Sequence, residues 1–461
     1  MNTLYRWALG GGLATLLALN GFAEAQRFQE GDRVCFIGDS ITHQARYHSQ
    51  ILLFYTTRFP GMRLDSFNRG FAGDTAEGGV RRYAWDIAPL KPTVATVMLG
   101  MNDVGRHLYA PGKAGPEVEA QRRDAVSRHV ANMEKLAGFL DKDGVRIIFI
   151  APSLYDQTGS QKAENDVGVN DALKACGAAA RKLAVQYKAG FVDFNGPMEA
   201  LNKAGQAKDP GFTIVGPDRV HPGPVGHLVM AYLFLKEQGL SPVVAEMGVD
   251  AARGVVARQS NCEISGVSVA EGTLSFTCLE KALPFPVDPE NEGALALVPF
   301  TEELNQESLS VAGLPEGAYE VLIDGRAVLK TTAAALGKGV NLATVKETPQ
   351  YQQAVNVQRC VNERALVEGR KLRTFAQMEH LFLADLKERS PESDRTFVEG
   401  KLKELRAKDS VWNNYRANLI ETWKKLIPEK ESLERQSAGL LAEMGAAKKP
   451  VPHRYAIRVI R

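Results

Sequence analysis

The chain has 461 residues, enough for two or three domains with sizeable cores. Lys and Arg total 56 against 54 Asp and Glu, a formal net charge of +2, so the balance carries no electrostatic footprint for nucleic acid. Hydrophobic residues at 44% and charged residues at 24% are ordinary for a soluble globular protein.

Residues 1–25 read as a cleaved secretory signal: an early Arg, an apolar stretch from Trp7 to Leu19, and a small-x-small end at Ala23-Glu24-Ala25. The stretch is short for a membrane span of ~20 residues, and no second run of spanning length follows. The expected mature protein starts at Gln26, is secreted or periplasmic, and has no transmembrane segment. Five cysteines are an odd number for an exported chain. Cys35 lies in an apolar strand and Cys176 in a helical pattern, while Cys262 and Cys278 flank a hairpin, where a disulfide and a pair of free thiols are both open readings. No Cys-x-x-Cys or His/Cys cluster points to a metal, and no cofactor is expected.

From Arg33 to about Gly239, apolar strands alternate with amphipathic helices. The strands are expected at 33–38, 63–68, 93–100, 146–152 and 190–194. A helix over 124–144 would carry Val126, Val130, Met133 and Leu136 on one face, and "GHLVMAYLFLKEQG" reads as the last helix of the unit. Such alternation predicts a parallel sheet covered on both faces, with ligands beyond the carboxyl ends of its strands. Ser40, Asn68, Asn102 and Ser153 fall at or just past such ends. Residues 26–248 are assigned to this unit. Residues 249–344, with short alternating strands and Asp324-Gly325 as a hairpin turn, are assigned to a small β domain. Residues 345–461 are helical and charge-rich, with a packing stripe at Leu372, Phe375, Met378, Phe382 and Leu386. They end in the strand "HRYAIRVIR", which is expected to return to the β domain and make the helices an insertion.

Four segments carry chemistry. Gly38-Asp39-Ser40 closes the first strand, where Ser40 alone would more simply be a helix N-cap. "NRGFAGDTAEGG" (68–79) brings a glycine-rich backbone past the second strand. "LGMNDVG" (99–105) puts an amide at the end of the third. "PDRVHPGPVGH" (217–227) sets Asp218 three residues before His221, just ahead of a helix. In this order and at these strand ends the blocks resemble the SGNH (GDSL-type) hydrolase family, over about residues 33–240. The resemblance implies a three-layer α/β/α flavodoxin-like fold and esterase or acyl-hydrolase chemistry.

The residues fit that chemistry. A serine hydroxyl needs a base, and histidine, with an ordinary pKa near 6.5, suits. Ser40 is the expected nucleophile, His221 its base through Nε2, and Asp218 the acceptor that fixes the tautomer at Nδ1. The backbone N–H groups of Ser40 and Gly73 and the Asn102 side chain would hold the oxyanion. His227 lacks an acidic partner at the right spacing. His43 and His107 are expected to be solvated or packing residues, and Asp39 a hydrogen-bond acceptor at the turn. Arg81, Arg82 and Arg106 are candidate contacts for an anionic substrate, against the simpler reading as surface arginines.

Export and an accessory β region point, by analogy with relatives of this layout, to a small acyl ester or acetylated polysaccharide as substrate, with O-acetyl groups removed from carbohydrate. The polar loop "YDQTGSQKAENDVG" (155–168) weighs against an acyl channel and so against a lipid acyl hydrolase. A polysaccharide O-acetyltransferase and a non-catalytic binding protein are the other readings. The β segment carries no Trp for stacking on sugars, and packing against the catalytic unit is its expected role.

Overall fold

Five strands form a parallel sheet: β1 (Arg33–Gly38), β2 (Asp65–Gly70), β3 (Val94–Met98), β4 (Arg146–Ala151) and β5 (Gly190–Asp193), in the order β2-β1-β3-β4-β5. The computed structural model describes residues 26–384, 386–408 and 410–460, and the expected leader, residues 1–25, lies outside the described residues. Neighbouring residues of β1 bury on opposite faces. Val34 and Phe36 meet helices Tyr47–Arg58 and Pro224–Glu237, while Cys35 and Ile37 meet helix Pro116–Lys142. With both faces covered, the inner strands β1, β3 and β4 are buried along almost their whole length, whereas the edge strand β2 is polar and its burial alternates. The strand order reverses between β1 and β3, the point at which doubly wound sheets bind ligands. Among the described residues no helix is long and apolar enough to cross a membrane.

The accessory region is a two-sheet sandwich. Its strands are β6 (Val243–Asp250), β7 (Val255–Ser260), β8 (Cys262–Ala270), β9 (Thr273–Glu280), β10 (Gln306–Ala312), β11 (Ala318–Ile323), β12 (Arg326–Thr332), β13 (Val340–Asn341) and β14 (His453–Val459). They pair as β13-β10-β6-β7 and β12-β11-β14-β9-β8 around one apolar core. The terminal strand β14 sits between β9 and β11, so the helices of residues 349–447 are inserted into the sandwich. Two features differ from expectation. Strand β6 starts at Val243, ahead of the boundary placed at 249, because its apolar residues Ala245, Met247 and Val249 face the sandwich. The segment after β9 leaves the sandwich altogether: Leu283, Phe285 and Phe300 pack in the core of the α/β unit. All five cysteines are free thiols, and those of Cys262 and Cys278 meet on adjacent strands.

The insertion is fastened to the α/β unit. Helix Pro349–Leu366 buries Ala354, Val357 and Val361 in that unit's core. Of the expected stripe, Met378 and Phe382 pack with Ile420 and Trp423 in a separate helical core, against which Phe375 and Leu386 also lie.

Candidate active site

Strand β1 runs directly into the short helix α1 (Ser40–His43). Its N-cap is Asp39, whose Oδ1 accepts the Ile41 N–H at 3.0 Å. Ser40 is therefore the first helical residue and not the cap, so its hydroxyl is left for other chemistry and its N–H has no intrahelical acceptor. Burial raises the Asp39 carboxyl to about 7 against the pull of the Ile41 amide and His221, with Asp103 and Asp74 adding to the rise.

Ser40 Oγ lies 2.7 Å from His221 Nε2, and His221 Nδ1 lies 2.5 Å from Asp218 Oδ2. The second oxygen of Asp218 accepts the amides of Val220 (3.1 Å) and His221 (3.0 Å), the tight local turn that a three-residue spacing permits. Burial alone would raise this carboxyl, but the His221 ring and these two amides hold it at about 2. The loop itself is held by Arg219, between the two. Its buried guanidinium donates to the carbonyls of Asp156, Gly159, Gln161 and Ala163. The polar loop 155–168 thus serves as the socket of the Asp218–His221 loop.

The expected oxyanion donors come from β2 and β3. Gly73 has φ +78°, a left-handed conformation that costs an L side chain about 1–2 kcal/mol, and its N–H donates to no backbone carbonyl of the turn. Asn102 Nδ2 donates to the Asp74 carbonyl at 2.9 Å, tying the two segments together and leaving its second hydrogen available. Beneath them Asp103 accepts the Ala76 amide at 2.9 Å and pairs at 3.1 Å with buried His129. Burial would lower that imidazole, but Asp103 and Cys176 together raise it to about 10.

Other candidates are placed differently. His227 is buried, contacts Gln44 Oε1 at 3.1 Å and stacks on Tyr47. His43 is half-buried, and desolvation of its ring with the nearby Arg373 and Arg370 charges lowers it to about 3. His107 lines a cavity of about 380 Å³ shared with Asn102 and Asp103. Asn68 donates to the His43 carbonyl at 3.2 Å, and Ser153 is buried. Arg81 is exposed. Arg82 is not a surface cation: it is fully buried, 2.8 Å from Asp74 and 2.6 Å from Asp86, and is consumed by those carboxylates.

Charge and glycine spacing in residues 68–86 thus encode a buried support for the turn at Gly73, and the helical insertion completes it. Arg373 pairs with Asp86, Nη2 to Oδ2 at 2.6 Å, and donates to the Gly70 carbonyl. Burial would raise Asp86, but Arg373, Arg82 and Arg69 hold it well below the carboxylate range. His380 stacks on Phe71 at 5.1 Å and lies 3.8 Å from Asp74. Trp412 brings the tip of its indole against Gly73, where a Cβ would overlap Cη2 and sit 3.2 Å from Cζ2 and Cζ3. A second cavity, of about 260 Å³, opens one turn past Ser40 and His221 and is lined by Gln44, Arg46, His227, Asp288, Asn362 and Arg370.

Residues 36–229 match the GDSL-like lipase/acylhydrolase family. The acetylxylan esterase of Geobacillus stearothermophilus is 25% identical over 228 residues, 45% of this chain and 94% of its own length. Among solved structures, BT4096, a gut microbial diltiazem-metabolizing enzyme, is 32% identical over 95% of this chain and 99% of its own, with a TM-score of 0.84. The chain belongs to the GDSL-like lipase/acylhydrolase family. It is a hydrolase acting on ester bonds. The family match ends before β6, whereas the likeness to BT4096 extends over most of the esterase.

The sequence of the esterase gave no sign that Arg373, His380 and Trp412 belong near the site. They stand 300 or more residues from Gly73, on helices whose apolar stripe announces packing but not what is packed against.

Proposed function

We propose that this esterase removes short acyl groups, foremost O-acetyl groups on carbohydrate, by Ser-His-Asp catalysis. The observation that carries the reading is the unbroken chain from Ser40 Oγ through the His221 ring to Asp218, at 2.7 and 2.5 Å. Ser40 Oγ attacks the ester carbonyl while His221 Nε2 takes the hydroxyl proton. The oxygen that becomes negative is held by the amides of Ser40 and Gly73 and by Asn102. His221 returns the proton to the leaving alkoxide, and the C–O bond of the ester breaks. Water, deprotonated by the same imidazole, then cleaves the acyl-serine and releases the acid. Asp218, ionised throughout the neutral range, keeps the Nδ1 proton in place and offsets the imidazolium charge.

Polar walls support the sugar ester over a lipid. The cavity walled by Gln44 and His227, one turn past Ser40 and His221 and lined by neither of those two, presents guanidinium, carboxylate and amide groups, suited to hydroxyl-bearing ligands and poor for an alkyl chain. The relative named for acetylxylan points the same way. The test is hydrolysis of p-nitrophenyl acetate and octanoate by the mature protein and its Ser40→Ala variant, together with acetate release from acetylated xylan. Acetate preference, xylan deacetylation and loss of both in the variant are expected. A preference for octanoate, or a variant as active as the parent, would overturn the reading. Export of the chain with cleavage after Ala25 is part of the proposal, and the N-terminal residue of the secreted protein would be Gln26.

A further inference from the structure

We infer that Trp412, carried by the helical insertion, is a specificity-determining residue that contacts the alcohol moiety of the ester and favours alcohols built on a ring. The inference rests on the proposed reading in one respect: the acyl group is small, so the alcohol is the part that extends out of the cleft.

Trp412 is placed by three features. It is the second residue of helix Val411–Leu426, whose N-cap Ser410 accepts the Asn413 N–H at 3.1 Å. Tyr415, one turn on, meets the indole edge-to-face with ring centroids 5.7 Å apart, and its hydroxyl is held by Gln377 Nε2 at 3.1 Å. The tip of the indole abuts Gly73, whose N–H is an oxyanion donor of the proposed mechanism. One end of the ring is thus fixed beside the reacting carbonyl, while the side chain as a whole stays open.

That openness calls for a ligand. Trp412 is 50% exposed and its neighbour Val411 is 88% exposed, whereas Trp423 of the same helix is buried in the helical core. An indole braced at its edge and tip but left uncovered offers an apolar surface whose geometry is already fixed. Aromatic faces of this kind hold the C–H faces of ring-shaped ligands with little loss of side-chain entropy. An acetyl methyl is too small to reach beyond the oxyanion turn and cover it. The alcohol is not. The leaving oxygen must face His221 Nε2 to receive its proton, which keeps the alcohol in the open cleft between that imidazole and the walls around it.

The test uses three acetates that share the acyl group: an acetylated xylo-oligosaccharide, p-nitrophenyl acetate and ethyl acetate. Trp412→Ala and Trp412→Phe are compared with the parent, and specificity is read as the ratio of kcat/KM between substrates, so that the fraction of folded enzyme cancels. The expected result is a roughly tenfold fall in kcat/KM for the two ring-bearing acetates, mostly in KM. Ethyl acetate should change less than about twofold, and phenylalanine should restore most of the difference. An equal fall on all three substrates would overturn the inference, leaving Trp412 as a support for Gly73. No change on any substrate would overturn it too, as would a shift in preference from acetate to butyrate, which would put the indole on the acyl side. Failure of the underlying reading is recognised separately, as equal rates for the parent and Ser40→Ala, and it would overturn this inference with it.

Discussion

Replacing Asn102 by alanine separates stabilisation of the transition state from binding of the ground state. In the folded protein the side chain makes one protein contact through Nδ2, the 2.9 Å bond to the Asp74 carbonyl. The position is only half-buried, so water can replace that bond, and the stability lost should be about 0.5–1.5 kcal/mol. The second hydrogen of Nδ2 has its main use in the reaction, when the ester oxygen becomes charged. Loss of such a donor removes roughly 2.7–4 kcal/mol of transition-state stabilisation, or about 100- to 1,000-fold in kcat. KM for p-nitrophenyl acetate should move little, because the neutral carbonyl gains little from the donor. Steady-state kinetics with a thermal melt of the same sample decide the matter. A kcat within tenfold of the parent in a normally folded variant would refute Asn102 as an oxyanion donor, and so would a loss confined to KM.

Two further perturbations follow from the same geometry. In Gly73→Ala the new methyl group meets both a left-handed φ of +78° and the Trp412 indole; kcat should fall more than about tenfold, and the double variant with Trp412→Ala should recover part of the loss, whereas no recovery would mean that the indole contact is not the obstacle. Asp39→Asn keeps an oxygen to accept the Ile41 amide but removes an ionisation that burial moves from 3.8 to about 7. A carboxyl with a raised folded pKa costs the native state stability as pH climbs from the unfolded value to the folded one, by at most about 1.4 kcal/mol per pH unit. The stability of the variant relative to the parent, from urea unfolding, should therefore rise between pH 4 and pH 7 and level off above, and a difference constant with pH would refute the assignment.

The α/β unit and its site were readable because each signal is local. An apolar run followed by Gly-Asp-Ser names a strand end, and Asp218 three residues before His221 is enough to close a turn that brings carboxylate and ring together. The alternation after residue 255 likewise revealed strands. It did not reveal that the segment around Leu283 and Phe285 abandons the sandwich, since both destinations are apolar. Arg82 was misjudged for a related reason. An arginine between exposed-looking neighbours reads as a surface cation unless its two carboxylates are known, and Asp74 and Asp86 stand eight residues before it and four after. Arg373 and Trp412 were out of reach because their partners are fixed only by how the insertion docks.

That docking is coupled to the site by electrostatics as well as by packing. Asp74, Arg82, Asp86 and Arg373 alternate in sign along one buried chain, with three of the four side chains from the α/β unit and the last from the insertion. Withdrawing the insertion would take from Asp86 a bidentate partner and leave that carboxylate with Arg82 and the more distant Arg69. Removing one partner of a buried pair is far costlier than the net worth of the pair, because the remaining charge is left under-compensated in a medium that solvates it poorly. The same displacement would uncover Phe71 and lift the indole from Gly73. The oxyanion turn and the insertion therefore have few states available in which one is formed and the other is not, and this is the physical reason to place the helical region within the catalytic unit, although its strand β14 belongs to the sandwich.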